Sequence, residues 1–278
     1  MKMILKYLLF ILPAFLYAKA FAQSKDLGTE ENQLIELHNK INARLNYPPR
    51  TKYEDPNFYK DSVDYFIAAL EKEFTLLVTN NPKTIDYPFN LLRDSGLCHI
   101  TTSGDKNVRV YNLDAWQLLT QIYQWRDHGK VYSKISRYVK DSSGLCREIF
   151  VVMVHGKRYY LPVISNIIWP SHAMQSIVAW HINGNKLETV NLFKNKLNKR
   201  DRIDVPFSFY NFAPGVKDTL LTFISYDDRL RKIYIPRVDQ MGLFTKNYFI
   251  YEVKADYLEF TKIGDMKQER GMVNPPRK

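Results

Sequence analysis

The chain has 278 residues, 45% of them hydrophobic and 25% charged, with a formal net charge of +11. That balance excludes an intrinsically disordered chain and, through its excess of lysine and arginine, favours anionic partners. Past the first two dozen residues no apolar run approaches the roughly 18 needed for a membrane-spanning helix.

Residues 1–22 read as a cleaved secretory leader. Lys2 and Lys6 supply a positive start, residues 7–18 (YLLFILPAFLYA) an apolar core, and Ala20-Phe21-Ala22 a cleavage site before Gln23. Ala18-Lys19-Ala20 offers a second site. The expected product is exported, to the periplasm or the cell surface. It has about 256 residues and, without Lys2, Lys6 and Lys19, a charge of about +8.

A helical region is expected over residues 23–95. Thr29 can cap a first helix, followed by Glu30 and Glu31, which suit a helix N-terminus. Leu34, Leu37, Ile41 and Leu45 recur at helical spacing until Pro48-Pro49. Asp55 and Pro56 open a second helix, whose apolar stripe runs through Tyr59, Val63, Phe66, Ile67, Leu70, Phe74 and Leu77 to Asn80-Asn81-Pro82. The stripe reads as a packing face.

From residue 96 to 264 the period changes to two. Pairs of alternating runs flank turns that contain Gly104, Gly129, Gly156 and Gly184, spaced 25, 27 and 28 residues apart. This predicts an antiparallel meander built as a sandwich, a barrel or a propeller-like set of sheets. The basic stretch at residues 194–202 is expected to be a long exposed loop, and the sequence leaves open whether the β region is one domain or two divided there. Residues 265–278 read as a flexible tail. The fold class expected is therefore α+β, mainly β: a short helical part packed on a large β domain.

Cys98 and Cys146 each follow a Gly-containing turn and open a strand-like run. In an exported protein they are expected to pair, closing a loop that would stabilise the fold by roughly 4 kcal/mol. Two buried free thiols are the alternative.

Catalytic signatures are missing: the sequence has no HExxH, no GxSxG, no paired CxxC and no glycine-rich phosphate loop. Ser103-Gly104-Asp105-Lys106 matches a Ser-x-x-Lys pattern but falls on a hairpin tip. None of His38, His99, His128, His155, His172 and His181 shows metal-ligand spacing with a neighbour. His128 and His155 each precede a turn glycine, where polarity is expected anyway. His172 stands out, in Trp169-Pro170-Ser171-His172-Ala173-Met174, because loops on rigid sheets carry binding groups. Tyr123, Trp125 and Tyr132 gather about one hairpin, a composition suited to stacking on sugars and equally to packing within a sheet.

The run ISYDDRLRKIYIPRVDQMGLFTKNYFIYEVKADYLEFTKIG, residues 224–264, carries Asp227-Asp228, Tyr234-Ile235-Pro236, Thr245, Tyr248, Tyr251, Tyr257 and Phe260. Together with Arg109, Tyr111 and Asp114 it resembles a pattern in exported proteins of the Bacteroidota. Lys254-Ala255-Asp256 stands where that pattern would carry a glycine turn. The resemblance implies an envelope location and no activity.

The leading expectation is a non-enzymatic exported protein that binds a glycan or another envelope component through Trp125, Trp169, His172, Lys199 and Arg200. Anionic glycan, lipopolysaccharide or an envelope protein are the expected partners. No cofactor, metal or nucleic acid is expected. The alternatives are a polysaccharide or peptide hydrolase whose site assembles only in three dimensions, and a protein-interaction module.

Overall fold

A computed structural model describes residues 26–46, 56–115, 118–137, 144–169, 172–208 and 222–267. The expected leader, Pro48-Pro49, Asp55 and residues 268–278 of the expected tail lie outside them, whereas residue 265 of that tail ends a strand.

Helix α1 spans Leu27–Asn46 and α2 spans Pro56–Asn80; a 3-10 turn, Pro82–Ile85, and the short α3, Asn90–Asp94, follow. No described helix is long and apolar enough to cross a membrane. The α1 stripe is buried at Leu34 and Ile41, as its spacing requires. It starts two residues before Thr29, whose amide instead donates to the Asp26 carbonyl at 2.9 Å. Glu31 does more than favour the helix dipole. It is buried, and its carboxylate accepts hydrogen bonds from the Tyr87 hydroxyl at 2.9 Å and the Leu92 amide of α3 at 3.1 Å.

The first sheet is a four-stranded meander: β1 (Cys98–Thr102), β2 (Val108–Ala115), β3 (Leu118–Asp127) and β4 (Lys130–Arg137). One face packs under the helices, with Cys98, Tyr111, Leu113 and Ile122 against Leu70, Phe74, Val78 and Phe89. The other face presents Val108, Val110 and Trp125 to a second sheet. That sheet contains β5 (Leu145–Val154), β6 (Lys157–Trp169), β7 (His172–Val178), β8 (Trp180–Asn183), β9 (Lys186–Thr189) and β12 (Arg202–Ser208). Strand β6 is its spine, pairing with β5, β7 and β8.

Alternation along β5 and β6 makes the second sheet apolar on both faces. Ile149, Tyr160, Val178 and Trp180 face the first sheet, while Phe150, Val152, Leu161, Val163 and Ile177 face a third. The third sheet runs β11 (Lys199–Arg200), β10 (Phe193–Lys194), β16 (Leu258–Asp265), β15 (Phe244–Val253), β14 (Lys232–Val238) and β13 (Ser225–Asp227). The layers are thus helices, sheet, sheet, sheet, and the architecture is α+β and mainly β. Irregularities of register in β5/β6, β6/β7, β14/β15 and β15/β16 let the strands curl.

Three local expectations change. Residues 193–200 form the β10–β11 hairpin where a loop was expected. Strand β10 also pairs parallel to β16, so the β region is not wholly antiparallel. The β15–β16 hairpin closes without glycine, through the Lys254 amide on the Tyr257 carbonyl at 2.9 Å. Two hairpin tips have both central residues left-handed, His128-Gly129 (φ 46 and 78°) and His155-Gly156 (φ 50 and 70°), the twist that two-residue hairpins demand.

The expected disulfide is not formed: Cys98 and Cys146 are both buried and both free. Topology gives the reason. Cys98 pairs across β1 and β2 with Leu113 and packs under the helices. Cys146 packs on the opposite face of the same sheet, beside Val108 and Val110. A bridge between them would have to pass through the sheet.

Candidate functional site

The residues singled out from sequence do not converge. Trp125 is 2% exposed. Its ring stacks on Tyr132 with centroids 6.0 Å apart, and its indole N–H donates to the Gly184 carbonyl at 3.1 Å. It fastens the β8–β9 turn to the first sheet and cannot stack on a sugar. Trp169 ends β6 opposite His172, and its side chain lies outside the described residues. His172 is exposed at the start of β7, opposite Ser208 of β12, whereas Lys199 and Arg200 just precede the other end of β12, where Arg202 meets Val178. Six residues of strand separate the two ends, roughly 20 Å.

The structure brings another group together. Where the β3–β4 and β1–β2 turns approach β6 and β8 there is a cavity of about 290 Å³. The first sheet contributes Asn107, Arg126, Asp127 and His128; the second contributes Arg158, Tyr160 and His181. Its volume lies just below the range usual for ligand pockets, about 300–1,000 Å³.

Each charged wall is held from behind. Arg126 Nη2 pairs with Asp86 Oδ2 at 2.5 Å, and its backbone amide donates to the Asn107 carbonyl at 2.8 Å. Arg158 Nη1 pairs with Asp105 Oδ2 at 3.2 Å. A single carboxylate contact positions a guanidinium while leaving several of its five N–H donors for other use.

Asp105 itself is saturated. Its carboxylate accepts from the Ser103 hydroxyl at 2.7 Å, the Asn107 amide at 3.1 Å, the Asn107 side chain at 3.0 Å and the Tyr160 hydroxyl at 3.0 Å. Burial would raise its pKa, but these hydrogen bonds outweigh burial and hold the carboxyl below its usual range. Asp105 is a fixed anion and a poor general acid. Ser103, buried, also accepts from the Val108 amide at 3.0 Å, and the Lys106 amide donates to the Ser103 carbonyl at 2.8 Å, so the Ser-x-x-Lys match is a backbone turn motif.

The two histidines have defined roles. His181 Nδ1 lies 3.0 Å from the Arg158 carbonyl, which only accepts, so Nδ1 carries hydrogen there. His128 Nδ1 lies 2.9 Å from Asp127 Oδ1. In the neutral ring both arrangements leave Nε2 as a hydrogen-bond acceptor. The cavity therefore combines two guanidinium groups with two imidazole rings. Among the described residues no three His, Cys, Asp or Glu side chains cluster as metal ligands.

Sequence reading passed over this group because its members come from four separated segments. His128 reads as turn polarity, and nothing in the local sequence singles out Arg126 or Arg158. The usable signal was repetition, since two tight hairpins carry His-Gly at the tip beside an arginine, Arg126 before one and Arg158 after the other. Compared with known proteins, the chain matches no family model, no curated protein and no solved structure.

Proposed function

We propose that this is an exported, non-enzymatic binding protein that takes an acidic sugar unit of an envelope glycan into the cleft between the first and second sheets. The observation that carries this reading is the placement of Arg126 and Arg158 on opposite sheets around one cavity, each anchored by a single carboxylate contact. A uronate or similar sugar has a carboxylate for the guanidinium groups. Its hydroxyls can donate to the imidazole acceptors of His128 and His181. The leader-like N-terminus, the net positive charge and the resemblance to exported Bacteroidota proteins support the compartment. Asp127 is the one carboxylate among the residues lining the cavity, and glycoside cleavage takes a pair of carboxyl groups, which disfavours a hydrolase at this cleft.

The test is calorimetric titration of the protein with an oligogalacturonate and with its neutral counterpart. Acidic oligosaccharide binds and neutral does not, and Arg158→Met weakens binding at least tenfold, the cost of about one charge-assisted hydrogen bond. Equal affinity for both sugars, or an unchanged affinity in the Arg126→Met/Arg158→Met double variant, would sink the reading.

A further inference from the structure

The β10–β11 hairpin carries a feature that the cleft does not use. Its tip, Asn195-Lys196-Leu197-Asn198, presents Leu197 at 90% exposure, fully outside the core. The tip is built to hold it there. Asn195 Oδ1 accepts from the Leu197 amide at 3.0 Å and the Asn198 amide at 2.7 Å, while the Asn195 amide donates to the Asn198 carbonyl at 3.0 Å. Around this apolar knob stand Lys194, Lys196, Lys199 and Arg200, four cations in seven positions, with Asp201 following. Among the described residues none of the four pairs with a carboxylate at ion-pair distance, although Glu259 sits in register beside Lys194. Lys194 and Lys199 instead lie over the Tyr257 ring, at 4.0 and 5.5 Å from its centre, and Lys194 Nζ donates to the Tyr257 hydroxyl at 2.8 Å.

Lysines on an edge strand discourage pairing with another chain, which accounts for Lys199 and Arg200. It does not account for Lys196, or for a leucine held outward at the apex by three hydrogen bonds. A hydrophobic tip ringed by cations, with a tyrosine beside it, matches a bilayer surface: charge meets anionic headgroups and the leucine enters the acyl boundary. We infer that the β10–β11 hairpin docks the protein on an anionic membrane surface, with Leu197 inserted and Lys194, Lys196, Lys199 and Arg200 on the headgroups. Neither signal is sufficient alone, since stable attachment takes an apolar anchor and a basic patch together. The inference does not depend on the cleft.

Flotation with vesicles tests it, using phosphatidylcholine alone and phosphatidylcholine with about one-third phosphatidylglycerol, at low and high salt. Wild type floats with the anionic vesicles at low salt only. Lys199→Glu and Arg200→Glu each weaken binding at least fivefold, the equivalent of ~1 kcal/mol per basic residue near the surface. Leu197→Ser weakens it about tenfold. Leu197→Trp retains binding and its emission shifts to the blue on anionic vesicles. All three positions are surface-exposed, so thermal unfolding of the variants should match wild type, which separates lost docking from lost folding. No flotation with anionic vesicles overturns the inference. So does equal binding of soluble polyphosphate that is indifferent to Leu197→Ser, which would make the hairpin a polymer site.

Discussion

The Tyr160 hydroxyl of β6 donates to Asp105 Oδ2 in the β1–β2 turn at 3.0 Å, so a buried phenol of the second sheet is bolted to a carboxylate of the first. Burial, and then the Asp105 charge, push the phenol up to about 12, so it remains a donor at any ordinary pH. The same carboxylate aims Arg158 at the cleft. One contact thus serves both the seam between the sheets and the shape of the site.

Tyr160→Phe should therefore cost about 1.5–3 kcal/mol, the range for a hydrogen bond to a charged group. It should also weaken acidic-ligand binding by freeing Asp105 and Arg158 to shift. Denaturant unfolding and titration calorimetry on the same variant measure the two effects. A variant with full ligand affinity and reduced stability would separate the seam from the site.

Asp105 also sets an acid limit. Its folded-state pKa is depressed, so its contribution is fully present above the unfolded value, about 4, and is lost as pH falls through the lower folded value. Asp105→Asn should lower stability near neutral pH and flatten the fall in melting temperature below pH 4. Parallel acid limbs for variant and wild type would show that Asp105 does not contribute.

A second acid limb lies higher. Burial first, then the nearby charges of Arg147 and Arg93, lower the pKa of His99 in the folded state. The unfolded chain then binds more protons, so stability declines as pH drops below the ordinary histidine value of about 6.5. His38, lowered by burial, adds to the same limb. His99→Gln should retain more of its neutral-pH stability than wild type between about pH 4 and 6.5. Urea unfolding at several pH values reads this, and an unchanged slope in the variant removes His99 as the cause.

The thiols give a direct chemical check. Burial pushes both upward, Cys146 to about 12 and Cys98 further. Thiolate, the reactive form, is therefore scarce at both. In the folded protein neither should react with Ellman's reagent at mildly alkaline pH, both should react in denaturant, and reductant should leave the melting temperature unchanged. One disulfide in the oxidised protein would contradict the two-faced placement of Cys98 and Cys146.

Much of the layering is legible in the residues themselves. The Leu34–Ile41 spacing and the Val63 to Phe74 stripe place the helices. Period-two alternation and glycine turns place the β1–β2, β3–β4, β5–β6 and β8–β9 hairpins. What alternation cannot convey is which sheet a strand joins or which face a side chain meets. Cys98 and Cys146 look equivalent in their local sequence, and only the stacking of a second sheet on the first sends their sulfurs to opposite sides. Trp125 looks like a surface aromatic until β8 covers it. Glu31 looks like a helix-dipole charge until α3 folds onto it, 61 residues later. The cleft is illegible for the same reason, because Arg126 and Arg158 become neighbours only through sheet stacking.

The last test concerns Gly144, at the entry to β5. A Cβ there would sit 1.8 Å from Asn166 Oδ1 and 2.4 Å from the Ser165 carbonyl oxygen, and Ser165 is backbone of the central strand β6. Real Cβ atoms do not approach that closely, and a backbone oxygen in a three-way paired strand cannot swing aside. The Gly144 carbonyl also accepts from Gln121 Nε2 at 2.9 Å, so any retreat of residue 144 would strain a buried amide of the first sheet. Gly144→Ala should cost more than the about 1–3 kcal/mol of ordinary overpacking, and Gly144→Ser at least as much. Gly104→Ala provides the contrast: nothing lies within 4 Å of a Cβ there, and its backbone is not left-handed. Its effect should stay within about 0.5 kcal/mol. Chemical denaturation of the three variants decides it, and equal stabilities for Gly144→Ala and Gly104→Ala would mean that β5 does not meet β6 at Ser165.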